Sequence, residues 1–492
     1  MESSIKVVKL SKRDENVVTA DPLPIPSSSS SSDLSDLSEL SREQLAAYGK
    51  FMQGQNLFIT GPGGTGKTKL VSHLIRYAKS INKNVAVCAM TGCAAVLLNC
   101  NARTLHSWSG IKLAKGTKDA VVASVLRNKY AVKVWKKTKV LILDEVSMLS
   151  QKVFEIIEQI ARATRSSNLP FGGIQVVFTG DFFQLPPVGN AGEALSDAFC
   201  FESPTWQKIF KRENHIELKT MFRQTDPLYI EILRQVRLGQ LSEENKRILQ
   251  SYVNREYDPA NHNGCIPTKL FPLRSKVDYV NTMMFNKIGE NEHVFEAVRK
   301  KDCTVYSDSI KPIPTEVLKM CAELSQKEVD FELDQLLGAV PCQQVLRLKK
   351  GAAVMCTVNL DMENGICNGS QGIVTNILDQ GPDKSPLIIV TFSNGLIKTM
   401  APHSWQNEDY PALAIVQYPL CLAWALTIHK IQGASLDMAE MDIGQSIFEY
   451  GQTYVSLSRI RSLDGLYLSE FHAHRIKAHP KVVEFYDSVF GV

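Results

Sequence analysis

The chain has 492 residues, 44% hydrophobic, 22% charged and 8% aromatic, which is enough apolar material for more than one domain and excludes wholesale disorder. Its 55 Lys and Arg stand against 51 Asp and Glu, and a net charge of +4 is too small to announce either a nucleic-acid binder or an acidic solvating protein. The 11 cysteines are scattered without a C-x-x-C pair, which argues against the common zinc and redox patterns and predicts a reducing compartment.

Residues 1–40 end in PLPIPSSSSSSDLSDLSEL, a Pro- and Ser-rich stretch that cannot repay the entropy of ordering, so a disordered tail is expected. The first residues show neither an apolar signal core nor an acid-poor transit pattern, and no run of eighteen apolar residues follows. A soluble intracellular protein is the expectation, in the nucleus if eukaryotic, with a mitochondrion or a viral replication site as alternatives.

From Ser41 apolar runs alternate with helical patterns. Strands are predicted at 56–60, 84–89, 140–143 and 175–179, an open α/β sheet whose carboxyl-end loops carry the chemistry. After the first strand, Gly61-Pro62-Gly63-Gly64-Thr65-Gly66-Lys67-Thr68 matches G-x-x-x-x-G-K-[ST]. In that context backbone N–H groups cradle phosphates, Lys67 reaches the terminal phosphates and Thr68 ligates Mg²⁺.

Residues 101–139 hold ten Lys and Arg against Asp119 alone, a net +9, whereas residues 1–40 carry −3. Interleaved with Trp108, Tyr130 and Trp135, this block is by itself either a solvated helix face or a surface for a polyanion. The next strand, VLILDEVS, delivers Asp144 toward a metal shell and Glu145 toward an attacking water. The strand QVVFT then leads into GDFFQLPPV, where two prolines forbid helix and Gln184 could sense a phosphate or be a satisfied loop amide.

Residues 305–340 read as helical and polar. Residues 345–400 read as β-rich, with turns at Lys349-Lys350-Gly351, Asn364-Gly365, Asn368-Gly369 and Asn394-Gly395, and suggest a small barrel inserted in a second α/β domain. The strand-like 420–428 and the helical stretch from Thr453 resume the α/β pattern.

The succession TGPGGTGKT, TGCAA (91–95), RTLHSWSGI (103–111), LDEVSM, GDFFQLPPV, FRQTD (222–226), ALTIHKIQGASL (425–436) and GQTYVSLSRIRS (451–462) resembles the petite-integration-frequency helicases. These are superfamily 1 enzymes of the 5′-to-3′ branch, related to RecD-type helicases. The resemblance implies an α/β fold of two RecA-like P-loop NTPase domains, 41–220 and 221–492, with a small β-barrel near 345–415. It implies an ATP- and Mg²⁺-dependent helicase that translocates on single-stranded DNA and opens forked DNA. Such an enzyme would work as a monomer in replication, repair, recombination or telomere maintenance, with protein partners from those processes and no membrane.

Carried over by position, Gln44 matches the adenine-reading Gln, and Arg223 and Arg459 match arginines presented to the γ-phosphate across the cleft; read alone, either Arg would be a surface or ion-paired residue. Thr91, His106, Pro186, His429 and Lys430 match positions on the DNA path, and the resemblance implies that the basic block 101–139, just after TGCAA, is an accessory segment facing DNA. The alternative reading of His429 is a core histidine, and of Lys430 a solvated charge. Cys93 and Trp108 depart from the family's usual aliphatic residue and Phe. A P-loop kinase, or a subunit using ATP only as a clamp, remain the rival readings.

Overall fold

A computed structural model of the chain describes residues 37–491, apart from 99, 101, 191, 258–264, 302–320, 362–363, 382–384 and 408–409. The expected Ser-rich tail, up to residue 36, lies outside the described residues, as does much of the polar stretch expected to be helical over 305–340.

Helix α1 (Arg42–Met52) starts at Ser41, where Ser41 and Gln44 form a reciprocal capping box. The first sheet is built from β1 (Leu57–Thr60), β2 (Val85–Ala89), β3 (Arg103–Thr104), β4 (Val140–Asp144), β5 (Gln175–Thr179) and β6 (His215–Glu217), in the order β3-β2-β4-β5-β1-β6. Every pairing is parallel. Strands β1, β4 and β5 are buried throughout, as expected where helices cover both faces of a parallel sheet. Between them run α2 (Lys67–Ser80), α3 (Gly92–Leu97), α4 (Leu105–Ser109), α5 (Lys118–Arg127), α6 (Lys129–Lys137) and α7 (Gln151–Arg165). The motif loops of this half leave the carboxyl ends of these strands.

After α8 (Pro227–Leu238) the chain builds a second sheet. It begins it at β7 (Thr268–Phe271), followed by α9 (Arg274–Lys287), and then departs into an antiparallel region. That region contains β8 (His293–Glu296), β9 (Val298–Lys300), α10 (Gln326–Ala339), β10 (Val345–Leu348), β11 (Ala353–Cys356), β12 (Gln371–Leu378), β13 (Leu387–Phe392), β14 (Ile397–Met400), β15 (His403–Gln406), β16 (Ala414–Gln417) and β17 (Leu420–Leu422). The chain then completes the second sheet with β18 (Ala425–Thr427), β19 (Ala439–Ile443) and β20 (Leu466–Phe471), in the parallel order β18-β7-β19-β20. Helices α11 (Gln452–Leu457) and α12 (Pro480–Phe490) flank its end.

The β-rich insertion is present where expected, but its pairing is not that of a closed barrel. Among the described residues the strands form an open five-stranded sheet, β14-β13-β12-β11-β17, beside the pair β8–β10 and the sheet β15-β16-β9. Closure would require β14 to bond β17, a pairing that is absent among the described residues; β17 leads within three residues back to β18. One apolar core, including Leu346, Val354, Val390, Trp405 and Trp424, unites most of the insertion.

The last helix returns to the first sheet. Phe485 stacks on Phe201 at 4.3 Å and meets Phe58, Phe182 and Trp206 edge-on, while the Tyr486 hydroxyl bonds Thr60. Both sheets therefore share one continuous core. No helix of the described residues is long and apolar enough to cross a membrane.

Candidate active site

The glycine-rich turn between β1 and α2 owes its shape to close approach from elsewhere in the chain. Gly66 caps α2 with a left-handed backbone, φ 77°, and a Cβ there would lie 2.7 Å from the Gln44 amide nitrogen. Gly64, φ 97°, faces the Arg223 side chain so closely that a Cβ would stand 2.8 Å from the Arg223 Cβ. Neither position tolerates a side chain. Lys67, at the head of α2, donates to the Gly61 carbonyl at 2.6 Å and the Pro62 carbonyl at 3.0 Å. Burial holds its ammonium below the usual lysine range, opposed by Asp181, Glu145 and Asp144.

At the end of β4 the backbone changes hand between the two acids. Asp144 Oδ1 accepts from the Thr179 hydroxyl and the Glu145 N–H, both at 2.9 Å. Glu145 follows in the left-handed region, φ 56° and ψ 43°, sparsely populated for a non-glycine residue. That turn sends the two carboxylates different ways. Glu145 Oε2 accepts from Gln432 Nε2 at 3.0 Å. Both carboxyls titrate above their ordinary values: burial is the main cause for each, and Asp144 adds to it for Glu145.

Glu145 opens on a cavity of about 460 Å³ lined from both halves of the chain. Gly63, Gly64, Gly66, Lys67, Thr68 and Gln184 come from the first half, and Arg223, Arg459 and Arg461 from beyond residue 220. Gln184 is buried, with its Oε1 unpartnered. Arg459 is fully buried, donating to the Val455 carbonyl at 2.9 Å and the Ser458 hydroxyl at 2.8 Å, and Arg223 donates to the Ser458 carbonyl at 3.0 Å. Burial lowers both guanidinium pKa values; at Arg223 the neighbouring Arg459 lowers it further. Mutually repelling cations gathered around one hollow are an anion site by construction.

Gln44 does not line that cavity. Its amide nitrogen donates to the Thr65 and Gly66 carbonyls at 3.3 and 3.2 Å, and its oxygen accepts from Ser41 N–H, so it braces the loop from below.

The residues expected on a DNA path are dispersed. Thr91 accepts from the Ala94 N–H at the start of α3, and His106 is half-buried on α4, its pKa lowered by burial. Neither lines a cavity, although their sequence neighbours Gly92 and Ser107 do: with Arg103 they form one side of a second cavity of about 350 Å³, whose other side is made by Glu332, His403 and Trp405. Pro186 and His429 are half-exposed and Lys430 is exposed; none of these three lines either cavity.

A family model described as PIF1-like helicase matches residues 39–247, and one described as the 2B domain of DNA helicase Pif1 matches residues 333–377. The crystal structure of the Pif1 helicase from Candida albicans is 33% identical, with a TM-score of 0.69, covering 92% of this chain and 99% of that one. The chain belongs to the PIF1-like helicase family. The Pif1 helicase from Bacteroides in complex with ADP-AlF3 and single-stranded DNA is 28% identical with a TM-score of 0.60, covering 92% of this chain and 97% of that one. The ATP-dependent DNA helicase PIF1 of Xenopus laevis is 32% identical over 463 residues, which is 94% of this chain. The chain spans only 66% of that relative's length.

Within this PIF1-like fold, several residues around the cavity were not singled out by motif reading. Gln432 sits in ALTIHKIQG, and Arg461 two residues past Arg459. Tyr454 accepts from the Gly63 N–H at 3.0 Å, and Gln224 Nε2 donates to the Ser458 and Ile460 carbonyls. Each lies inside a quoted motif, so the available signal was position within the motif and not residue type.

The aromatics of the basic block also fall differently from expectation. Trp108 and Trp135 are buried, their rings 4.4 Å apart, and the Trp135 indole N–H donates to the Ser109 carbonyl at 3.0 Å. They belong to the core and not to a nucleic-acid surface, because α6 has a 3.6-residue period that turns Ala131 and Trp135 inward together. Tyr130 stays exposed and meets Tyr410 of the insertion at 6.3 Å.

Proposed function

We propose that the chain is an ATP-driven DNA helicase that moves 5′-to-3′ on single-stranded DNA and opens forked duplex, acting as a monomer in replication or repair. The observation that carries this reading is the single cavity lined by Lys67, Thr68, Glu145 and Gln184 from one half and Arg223, Arg459 and Arg461 from the other. It is supported by the relatives, one named an ATP-dependent DNA helicase and one crystallised with ADP-AlF3 and single-stranded DNA. The two halves are read as RecA-like domains, 41–220 and 221–492.

In this reading Lys67 exchanges the Gly61 and Pro62 carbonyls for the terminal phosphates of ATP. Gln44 holds the loop that supports them, and to read the base it would have to release its bonds to Ser41 or to the Thr65 and Gly66 carbonyls. Glu145 is the group that orients and deprotonates the attacking water, and Gln184, with its unpartnered oxygen, stands ready to position that water. The three arginines stabilise charge on the equatorial oxygens, and because they arrive from the second half, hydrolysis proceeds only as the halves close. Thr68 and Asp144 would hold Mg²⁺. The fit is chemical: a hydroxyl and a carboxylate are hard oxygen donors, and Mg²⁺ keeps waters and phosphate oxygens as its remaining ligands. When bound, it neutralises phosphate charge. Thr91, His106, Pro186, His429 and Lys430 are assigned to the DNA track.

The test is ATP hydrolysis with and without oligothymidine, together with unwinding of 5′-tailed and 3′-tailed duplexes. Stimulation by single strands with opening of the 5′-tailed substrate alone is the expected result. Equal hydrolysis with and without DNA and no opening would refute the reading.

A further inference from the structure

We propose that the exposed lysine face of α6 is a second DNA surface, one that grips the phosphate backbone of the duplex arm and not the single strand. The proposal rests on the helicase reading above.

Nine of the ten basic residues in 101–139 are exposed, Arg103 being the exception. On α6 itself, Lys129, Lys133, Lys136 and Lys137 follow one another at helical spacing, so they form a stripe opposite the buried Ala131 and Trp135. The helix has no acidic residue, and no carboxylate pairs with any of the four among the described residues. A face that needed only solubility would mix signs, because like charges three and four residues apart destabilise a helix. Lys129 also sits in the first turn, where the helix dipole disfavours a cation. At the other end Arg165 donates to the Lys136 and Thr138 carbonyls at 3.2 and 3.0 Å, adding a further cation.

The direction of the stripe separates it from the sites already described. It begins where Tyr130 meets Tyr410. It ends at Lys139, whose N–H donates to the Asn84 carbonyl at the amino ends of β2 and β4. The nucleotide loop and Asp144 lie at the carboxyl ends, so the stripe, about 13 Å long, leads away from both.

Its chemistry favours duplex over single strand. Sequence-tolerant single-strand grooves combine cations with aromatic platforms on which bases stack; here both tryptophans are turned into the core, and the exposed aromatic of the helix, Tyr130, lies at its first turn against Tyr410 of the insertion. What remains is a row of lysines on one face of a helix, whose flexible stems carry point charges that can follow the phosphates of a duplex backbone and read no bases.

The test is the variant Lys133→Gln/Lys136→Gln/Lys137→Gln in the full chain, checked for an unchanged melting temperature. Binding to a blunt duplex is measured across a salt series, and ATP hydrolysis is measured with oligothymidine. Duplex affinity is expected to fall at least tenfold at low salt, and the slope of log K against log salt to become shallower by about 2 to 3, from about 0.9 per phosphate contact, with oligothymidine-stimulated hydrolysis retained. Unchanged duplex affinity and slope would overturn the proposal and leave a solvated face. Equal losses on duplex and single strand would overturn it too, as a general DNA contact. If the unsubstituted protein showed no stimulation by oligothymidine, the helicase reading would fail instead.

Discussion

Gln432 holds Glu145. The Gln432 amide nitrogen donates to Glu145 Oε2 at 3.0 Å across 287 positions of sequence, and it does so from the turn that also carries His429 and Lys430, since the Gln432 N–H bonds the His429 carbonyl. The residue proposed to activate water is thus tied directly to a segment proposed to touch DNA. A strand that displaces that turn displaces the partner of the carboxylate, which is a physical route for single-stranded DNA to change hydrolysis.

Gln432→Ala should therefore uncouple the two. With oligothymidine present, kcat is expected to fall about tenfold, a fraction of what a positioned general base contributes, while KM for ATP and oligothymidine affinity stay within about twofold. Steady-state kinetics and a fluorescence-anisotropy titration read these quantities. A stimulation ratio equal to that of the unsubstituted protein would show that the hydrogen bond is incidental.

Glu145→Gln should stabilise the nucleotide-free protein while stopping hydrolysis. Burial, with Asp144, raises the Glu145 carboxyl above its ordinary 4.5. A raised carboxyl contributes stability that is present below the unfolded pKa and lost as the pH rises through the folded one. At pH 7.5 the charged form is thus a burden on the fold, and the amide removes it. The melting temperature should rise by about 2 °C per kcal/mol recovered, with the gain shrinking as the pH falls toward 4.5. Hydrolysis should drop by at least about 100-fold with ATP binding retained. A calorimetric pH series on both proteins checks the sign.

How much of this could be read from the chain alone depended on whether the chemistry was local. The phosphate loop demands fixed residue types at fixed spacing, and the apolar run before Asp144 marks a buried strand, so Lys67, Thr68, Asp144 and Glu145 were legible as residues. Arg223 and Arg459 carry no local signal, and only the likeness of their motifs to a known family pointed to them. Gln432 and Tyr454 act through contacts hundreds of residues away, which periodicity cannot encode. The basic block was legible as charge. The inward turn of Trp108 and Trp135 was not, since their interleaving with lysines looks the same for a stacking platform and for an amphipathic helix. Strand content in the insertion was legible from its turns, whereas closure depends on which edges meet.

Arg461 should matter alongside the two arginines expected from the motif. It is exposed on the rim of the cavity, whereas Arg459 is buried with its guanidinium already oriented by Val455 and Ser458. Arg459→Lys is expected to lower kcat by at least about 100-fold, because a lysine cannot reproduce a planar fork held in place. Arg461→Ala should act mainly on binding, raising KM for ATP severalfold with a smaller change in kcat, as a rim charge steers an anion more than it stabilises a transition state. The reverse pattern in steady-state kinetics would exchange the two roles.

The buried pair of Asp181 and Arg237 should be the most sensitive point of the fold beside the site. Asp181 is fully buried and Arg237 nearly so, with Nε to Oδ2 at 3.0 Å and Nη2 to Oδ1 at 2.9 Å. The guanidinium lies 4.4 Å from the centre of the Phe183 ring, and Tyr486 of α12 donates to Asp181 at 3.4 Å. The pair thus fastens α8 and the last helix to the loop that carries Gln184. Arg237→Met would leave a carboxylate buried without its cation and should cost about 3–5 kcal/mol, whereas Asp181→Asn/Arg237→Met removes both charges and should recover more than half of that loss. Because Gln184 lies three residues beyond Asp181, the single variant should also lose hydrolysis at temperatures where it remains folded. Calorimetry with limited proteolysis on both variants measures the difference. Equal destabilisation of the single and double variants would mean that shape, and not the unpaired charge, dominates at this position.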